Sequence, residues 1–226
     1  MDKILPASRL RVTLSAAVLF VLLATLYFLP ADIPYKIAFP LILLTAFSPW
    51  VLPWQMCLAM LFSAAGDVSG ACGSFLLQIG FFSLAHIMLI LYFIPRALKE
   101  NLYSWDGYSS GRGSGRFVYI FIITIISFGL LAYAVTLFAP LADGDTVTAA
   151  VGIYAALIVT MLWSALLQRD IAFATGAILF VLSDFFLGWN RFASPVTGEK
   201  YLIMVPYYLA QLILFLRSSV KSQVYR

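Results

Sequence analysis

The chain is a near-continuous series of apolar runs, most of them about as long as a bilayer is thick, joined by short polar segments. A helix crossing the hydrocarbon core needs about 20 consecutive apolar residues, and that repeated length constrains the fold more than any motif. Of 226 residues, 63% are hydrophobic and only 11% charged, with a mean hydropathy of +0.98. A water-soluble domain of this size cannot bury so large an apolar share. Lipid is therefore the expected solvent. The formal charge of +4 comes from residues lying between the runs, not along a stripe, so it reads as topology and not as nucleic-acid binding.

The expectation is an all-α, polytopic integral membrane bundle forming one transmembrane helical domain over 1–226. Eight transmembrane helices are expected, at about 11–29, 35–50, 52–68, 73–94, 116–139, 147–167, 170–189 and 201–217. The second and third runs almost merge. The string "SPWVLP" (Ser48 to Pro53) divides them, because proline disfavours helix at the residue before it and suits a helix start. Lys3, Arg9 and Arg11 precede the first run as in a signal peptide, yet the apolar part is long and no A-x-A site follows, so it reads as a retained anchor. Alternating sides, Lys3, Arg9, Arg11, Arg96, Lys99, Arg112, Arg116, Arg169, Arg217, Lys221 and Arg226 fall with the termini. Only Lys36, Arg191 and Lys200 of the 14 basic residues fall opposite. The positive-inside rule then places both termini in the cytoplasm. The polar loop at 95–116 is cytoplasmic on this reading. Its "GRGSG" lacks the preceding strand that a phosphate-cradling loop requires. Cys57 and Cys72 are about 20 Å apart at helical rise, too far to bridge, and read as packing residues.

Polar groups inside the runs narrow the function. Of ten acidic residues, only Asp67 in "LFSAAGDVSG" and Asp184 in "LFVLSDFFLG" lie within or at the end of apolar helices. A carboxylate deep in the bilayer costs roughly 2.5–3.5 kcal/mol, so such groups face the bundle interior and serve a site. Counted from Pro53 and Asp170, near the cytoplasmic starts of their spans, each lies 14 residues further on, about 21 Å up a helix, which puts both in the outer third of the core. The single histidine, His86, falls mid-span. Ser63 shares a face with Asp67 one turn away, and Ser183 adjoins Asp184. Tyr154 in span six and Tyr207, Tyr208 and Gln211 in span eight complete the polar set. The plainer reading of each is a hydrogen bond between helices, or an interfacial anchor for the tyrosines. Two acids at matching depth beside a histidine favour a site over that reading.

One histidine argues against a three-histidine zinc centre. Cysteine–histidine catalysis lacks support, since Cys57 lies toward the inner end of its span. What remains is acid–base work by two carboxylates. Low dielectric and mutual repulsion keep a proton on one while the other stays charged, the division of labour glycosidases use on an acetal.

The segments "LFSAAGD" (Leu61 to Asp67), "QIGFFSLAHIMLILYF" (Gln78 to Phe93), "GAILFVLSDFFLGWNRF" (Gly176 to Phe192) and "YYLAQLILF" (Tyr207 to Phe215), with Tyr154 in "GIYAALIVTM", resemble the YhhN-like lysoplasmalogenase family of multi-pass membrane proteins. The family's lysine–proline pair in span two is absent, since "YKIAFPLILL" sets Phe39 before Pro40 and Lys36 a turn earlier. The resemblance implies hydrolysis of the vinyl ether bond of a lysoplasmalogen to a fatty aldehyde and glycerophosphoethanolamine or glycerophosphocholine. It implies Asp67 and Asp184 as the paired catalytic acids, and His86, which could activate water in place of the charged aspartate, is the third expected catalytic residue. Ser63, Tyr154, Ser183, Tyr207, Tyr208 and Gln211 are the expected substrate contacts. A lysophospholipid and the bilayer are the expected partners, with no metal, no cofactor and no nucleic acid, and the cytoplasmic membrane is the expected location in a bacterium. The competing functional reading is a proton- or cation-coupled transporter. The "LF…D…G" similarity of spans three and seven hints at two halves, as in many transporters. Two weaker rivals are a structural protein bonded through both aspartates and a metal-dependent lipid amidase or lipase.

Overall fold

The computed structural model describes residues 7–102 and 113–221. They form eight α-helices: α1 (Ala7–Phe28), α2 (Phe39–Val51), α3 (Trp54–Ala71), α4 (Phe75–Leu102), α5 (Gly113–Phe138), α6 (Asp145–Leu166), α7 (Ile171–Gly188) and α8 (Glu199–Lys221). Among the described residues there is no strand. Six helices, all but α2 and α3, are long and apolar enough to cross a membrane. The protein is thus a multi-pass helical membrane bundle. Phe117, Phe121, Ile125, Ile126 and Phe128 of α5 point outward, each more than half exposed, as a lipid-facing surface requires.

Two expected boundaries are corrected. The second helix starts at Phe39, not near residue 35, and is only 13 residues long. Pro40 sits in its first turn, where the missing N–H costs nothing. The segment expected as a loop from Pro95 is instead the last two turns of α4, which runs through Pro95 to Leu102. Arg96 braces that stretch, its guanidinium lying 4.1 Å above the Tyr92 ring. The rest of the expected loop up to residue 112, including Gly111 and Arg112 of "GRGSG", and the terminal charges Lys3 and Arg226 lie outside the described residues. Cys57 is half-buried, but Cys72 is exposed at the end of α3, so it is not a packing residue.

Two close helix pairs, α3 with α4 and α7 with α8, carry the site. Glycine permits both approaches. A Cβ on Gly66 would lie 3.1 Å from the Phe82 ring, and one on Gly176 would lie 2.9 Å from the Leu214 side chain. Asp170 pins α7 to α8. It caps α7 by accepting from Ala172 N at 3.1 Å, and receives Arg217 Nη2 at 2.6 Å and Nε at 2.8 Å from the far end of α8. Met56, Met60, Phe93, Phe173, Phe180 and Phe215 fill the space between the helices and are almost wholly buried.

Candidate active site

Asp67 and Asp184 line one cavity of about 330 Å³, with Phe82, Ser183 and Tyr207. Asp67 is only 3% exposed and sits inside α3, a turn short of its end. Tyr207 of α8 donates to its Oδ2 at 3.0 Å. Asp184 of α7 receives the Tyr154 hydroxyl on Oδ2 at 2.6 Å, and His86 Nε2 lies 3.5 Å from the same oxygen. Each acid is therefore aimed by a tyrosine from a different helix.

His86 is fully buried and lines neither this cavity nor the apolar one beside it. Its Nε2 is 3.3 Å from the Tyr154 oxygen. That hydroxyl gives its proton to the bond with Asp184, so its oxygen can only accept, which assigns the hydrogen to Nε2. Among the described residues Nδ1 has no partner. As a bare acceptor it is the less costly of the two ring nitrogens to leave unpaired. The His86 ring also packs on Phe180, with centroids 4.7 Å apart.

The remaining expected contacts separate. Ser183 faces the cavity. Gln211 donates to Ser63 Oγ at 3.0 Å, and both are buried one helical turn from the tyrosine–aspartate pair, away from the cavity lining. Tyr208 donates to the Ile37 carbonyl at 2.7 Å and packs edge-on against Phe20 and Tyr27, so it ties α8 to the start of the α2 segment. Sequence reasoning did not single out Tyr27, Gln78, Asn190, Glu199 or Lys200, all of which line the cavity. Only the charge of Lys200 beside an apolar run could have marked it. Among the described residues no three His, Cys, Asp or Glu side chains converge closely enough to hold a metal ion.

A second cavity of about 90 Å³ lies between α4, α5, α6 and α7, lined by Phe75, Ile79, Leu130, Ala155, Val181 and Phe185 among others. Its walls are almost wholly apolar. Asp184 and Leu187 belong to both cavities, so a polar chamber and an apolar one meet at a carboxylate.

The sequence model of the YhhN family matches residues 33–218. The chain is 29% identical over 220 residues to "Lysoplasmalogenase TMEM86B" of Rattus norvegicus, covering 90% of this chain and 83% of that one. It is 30% identical over 165 residues to the protein of that name from Sus scrofa, covering 71% and 62%. It is 42% identical over 74 residues to the Homo sapiens protein of that name, covering 33% and 32%. The matches to the pig and human proteins thus span less than two thirds of their lengths. No solved structure matches the chain.

Proposed function

The chain belongs to the YhhN family, and on that premise we propose that it is a membrane lysoplasmalogenase. It hydrolyses the vinyl ether of a lysoplasmalogen to a fatty aldehyde and glycerophosphoethanolamine or glycerophosphocholine. The observation that carries this reading is the meeting of the two cavities at Asp184. A lysoplasmalogen is polar at one end and hydrocarbon at the other, and its vinyl ether is the joint between them. A polar chamber beside an apolar one, with Asp184 in the wall of both and Asp67 in the polar one, matches that order of groups.

Asp67 is the general acid and Asp184 the charged partner, held by Tyr154 and backed by His86. The Asp67 proton passes to the β carbon of the vinyl ether, and the positive charge spreads over the α carbon and ether oxygen. The Asp184 carboxylate faces that oxocarbenium in a low-dielectric site, where such stabilisation is largest. Water adds to the α carbon and gives one proton to Asp184. The hemiacetal then collapses. Its hydroxyl proton returns to Asp67, the bond to the glycerol oxygen breaks, and that oxygen takes the proton from Asp184. One water is consumed and both acids end as they began. Proton transfer of this kind contributes about 10²–10⁴-fold. His86 positions Asp184 and does not reach the substrate.

All eight helices cross the membrane on this reading, with both termini cytoplasmic and 1–226 forming one domain. The shorter α2 and α3 are packed in sequence between α1 and α4, which supports counting them as crossings. The test is purified protein with 1-alkenyl lysophosphatidylethanolamine and its 1-acyl analogue in deuterated water. Aldehyde should form from the alkenyl lipid alone, with one solvent deuterium on the carbon beside the carbonyl. Fatty acid from the acyl lipid, or no aldehyde, would refute the assignment.

A further inference from the structure

Three cations are expected on the outer side: Lys36, Arg191 and Lys200. The structure gives each a different employment. Lys36 Nζ donates to the carbonyls of Leu29 and Ala31, closing the turn between α1 and α2. Arg191 lies 5.1 Å over the Phe75 ring and does not line the polar cavity. Lys200 does line it. Its ammonium rests over Tyr27 at 4.8 Å and Phe28 at 5.7 Å, and no carboxylate comes within ion-pair distance of it among the described residues. The adjacent Glu199 is turned to Asn190, which donates to it and whose own Oδ1 is fixed by Val196 N at 2.8 Å. A half-buried ammonium with three donors, set on aromatic faces and left without an anion, is a site for one.

We propose that Lys200 binds the phosphodiester of the lysolipid at the mouth of the polar cavity, which rests on the lysolipid reading above. Lys200 and Tyr207 are seven residues apart on α8, two turns on one face, so their backbone positions stand about 10 Å apart along the helix, and Tyr207 is the residue that holds Asp67. That interval suits a glycerol backbone between phosphate and vinyl ether. The charged Asp184 repels a phosphate from the deep end, and Lys200 attracts it at the mouth. The lipid is therefore admitted headgroup-outward, with its ether bond at Asp184 and its chain directed into the apolar cavity. Lys200 does not touch the reacting atoms, so its effect belongs in binding.

The test uses two probes. The first is 1-O-alkyl lysophosphatidylethanolamine, a saturated ether with no vinyl bond, its binding measured calorimetrically in detergent. The second pairs turnover of 1-alkenyl lysophosphatidylethanolamine with that of 1-alkenylglycerol, which lacks phosphate. Lys200→Met should weaken alkyl-lipid binding about tenfold or more. It should raise KM for the phospholipid by the same factor with kcat held, and leave 1-alkenylglycerol unaffected. Lys200→Arg should restore most of the binding. Parental binding in K200M, or an equal loss with 1-alkenylglycerol, overturns the assignment. So does inorganic phosphate binding as tightly as the lipid, which would mark a site for a soluble anion. If K200M loses alkyl-lipid affinity while the parent releases no aldehyde, the phosphate site stands and the hydrolase reading falls.

Discussion

Replacing Tyr154 by phenylalanine removes one oxygen and, with it, the 2.6 Å hydrogen bond that fixes the Asp184 carboxyl. The ring stays the same size, so its place in the wall of the apolar cavity and its packing on His86 are kept. A hydrogen bond to a charged group contributes about 1.5–3 kcal/mol. Asp184 must carry its charge as the oxocarbenium forms, so most of that loss should appear in the transition state. The expected effect is a fall in kcat of about 10- to 150-fold, with KM within about twofold of the parent. The assay is aldehyde release from 1-alkenyl lysophosphatidylethanolamine across a range of substrate, with thermal unfolding in detergent to establish that the variant folds. Tyr208→Phe is the control. Its hydroxyl bonds the Ile37 carbonyl and touches neither aspartate, and Tyr208 does not itself line the cavity, so the change should cost about 1 kcal/mol of stability and leave kcat at the parental value. Parental kcat in Y154F, or equal damage in Y208F, would refute the placement of Asp184 as the charged carboxylate that Tyr154 holds for the reaction.

Two further outcomes follow from other parts of the bundle. Burial alone would raise the Asp170 carboxyl, but the Arg217 guanidinium outweighs it, and the Phe173 amide and Lys221 add to the pull, so the group sits below the ordinary aspartate range. A native value below the unfolded one makes its stabilisation complete above about pH 4 and progressively lost as pH falls through the lowered value. Unfolding midpoints in detergent should therefore drop on acidification more steeply in the parent than in Asp170→Asn, and identical slopes would contradict this. Ala155 lines the apolar cavity, so Ala155→Phe should penalise long alkenyl chains relative to short ones in competition assays. An unchanged chain-length profile would remove that cavity from the substrate path.

The eight helices were legible because each is an apolar run bounded by proline, glycine or charge, and run length is what a bilayer selects. Asp67 and Asp184 were legible for the same reason inverted, since an acid in hydrocarbon is conspicuous. Much less of the surrounding polar set could be read. Tyr207 and Tyr208 are neighbours with the same side chain, yet one meets Asp67 and the other the Ile37 carbonyl. Only the packing of α8 against α3 and the α2 segment decides which. Lys36 is turned to the Leu29 and Ala31 carbonyls between α1 and α2, which its place before an apolar run does not reveal. Lys200 entered the sequence reading only as a charge on the outer side. Its neighbour Glu199 is drawn aside by Asn190, which sits in the turn of π-helix at Trp189–Ala193. No periodicity announces such a turn. The start of α2 was misplaced because residues 33–38 are apolar enough to extend the run, while their backbone turns and leaves Pro40 to open the helix.

The central claim is that Asp67 and Asp184 act on one substrate as a unit across a shared cavity. A double-mutant cycle of Asp67→Asn and Asp184→Asn, read as kcat for aldehyde release, tests it most directly. Groups that act together lose their effects together. Each single variant should fall by at least about 10²-fold, and the double variant should be little worse than either. Losses that multiply in the double variant, or a single variant that retains parental kcat, would show that the two carboxyls do not share the reaction.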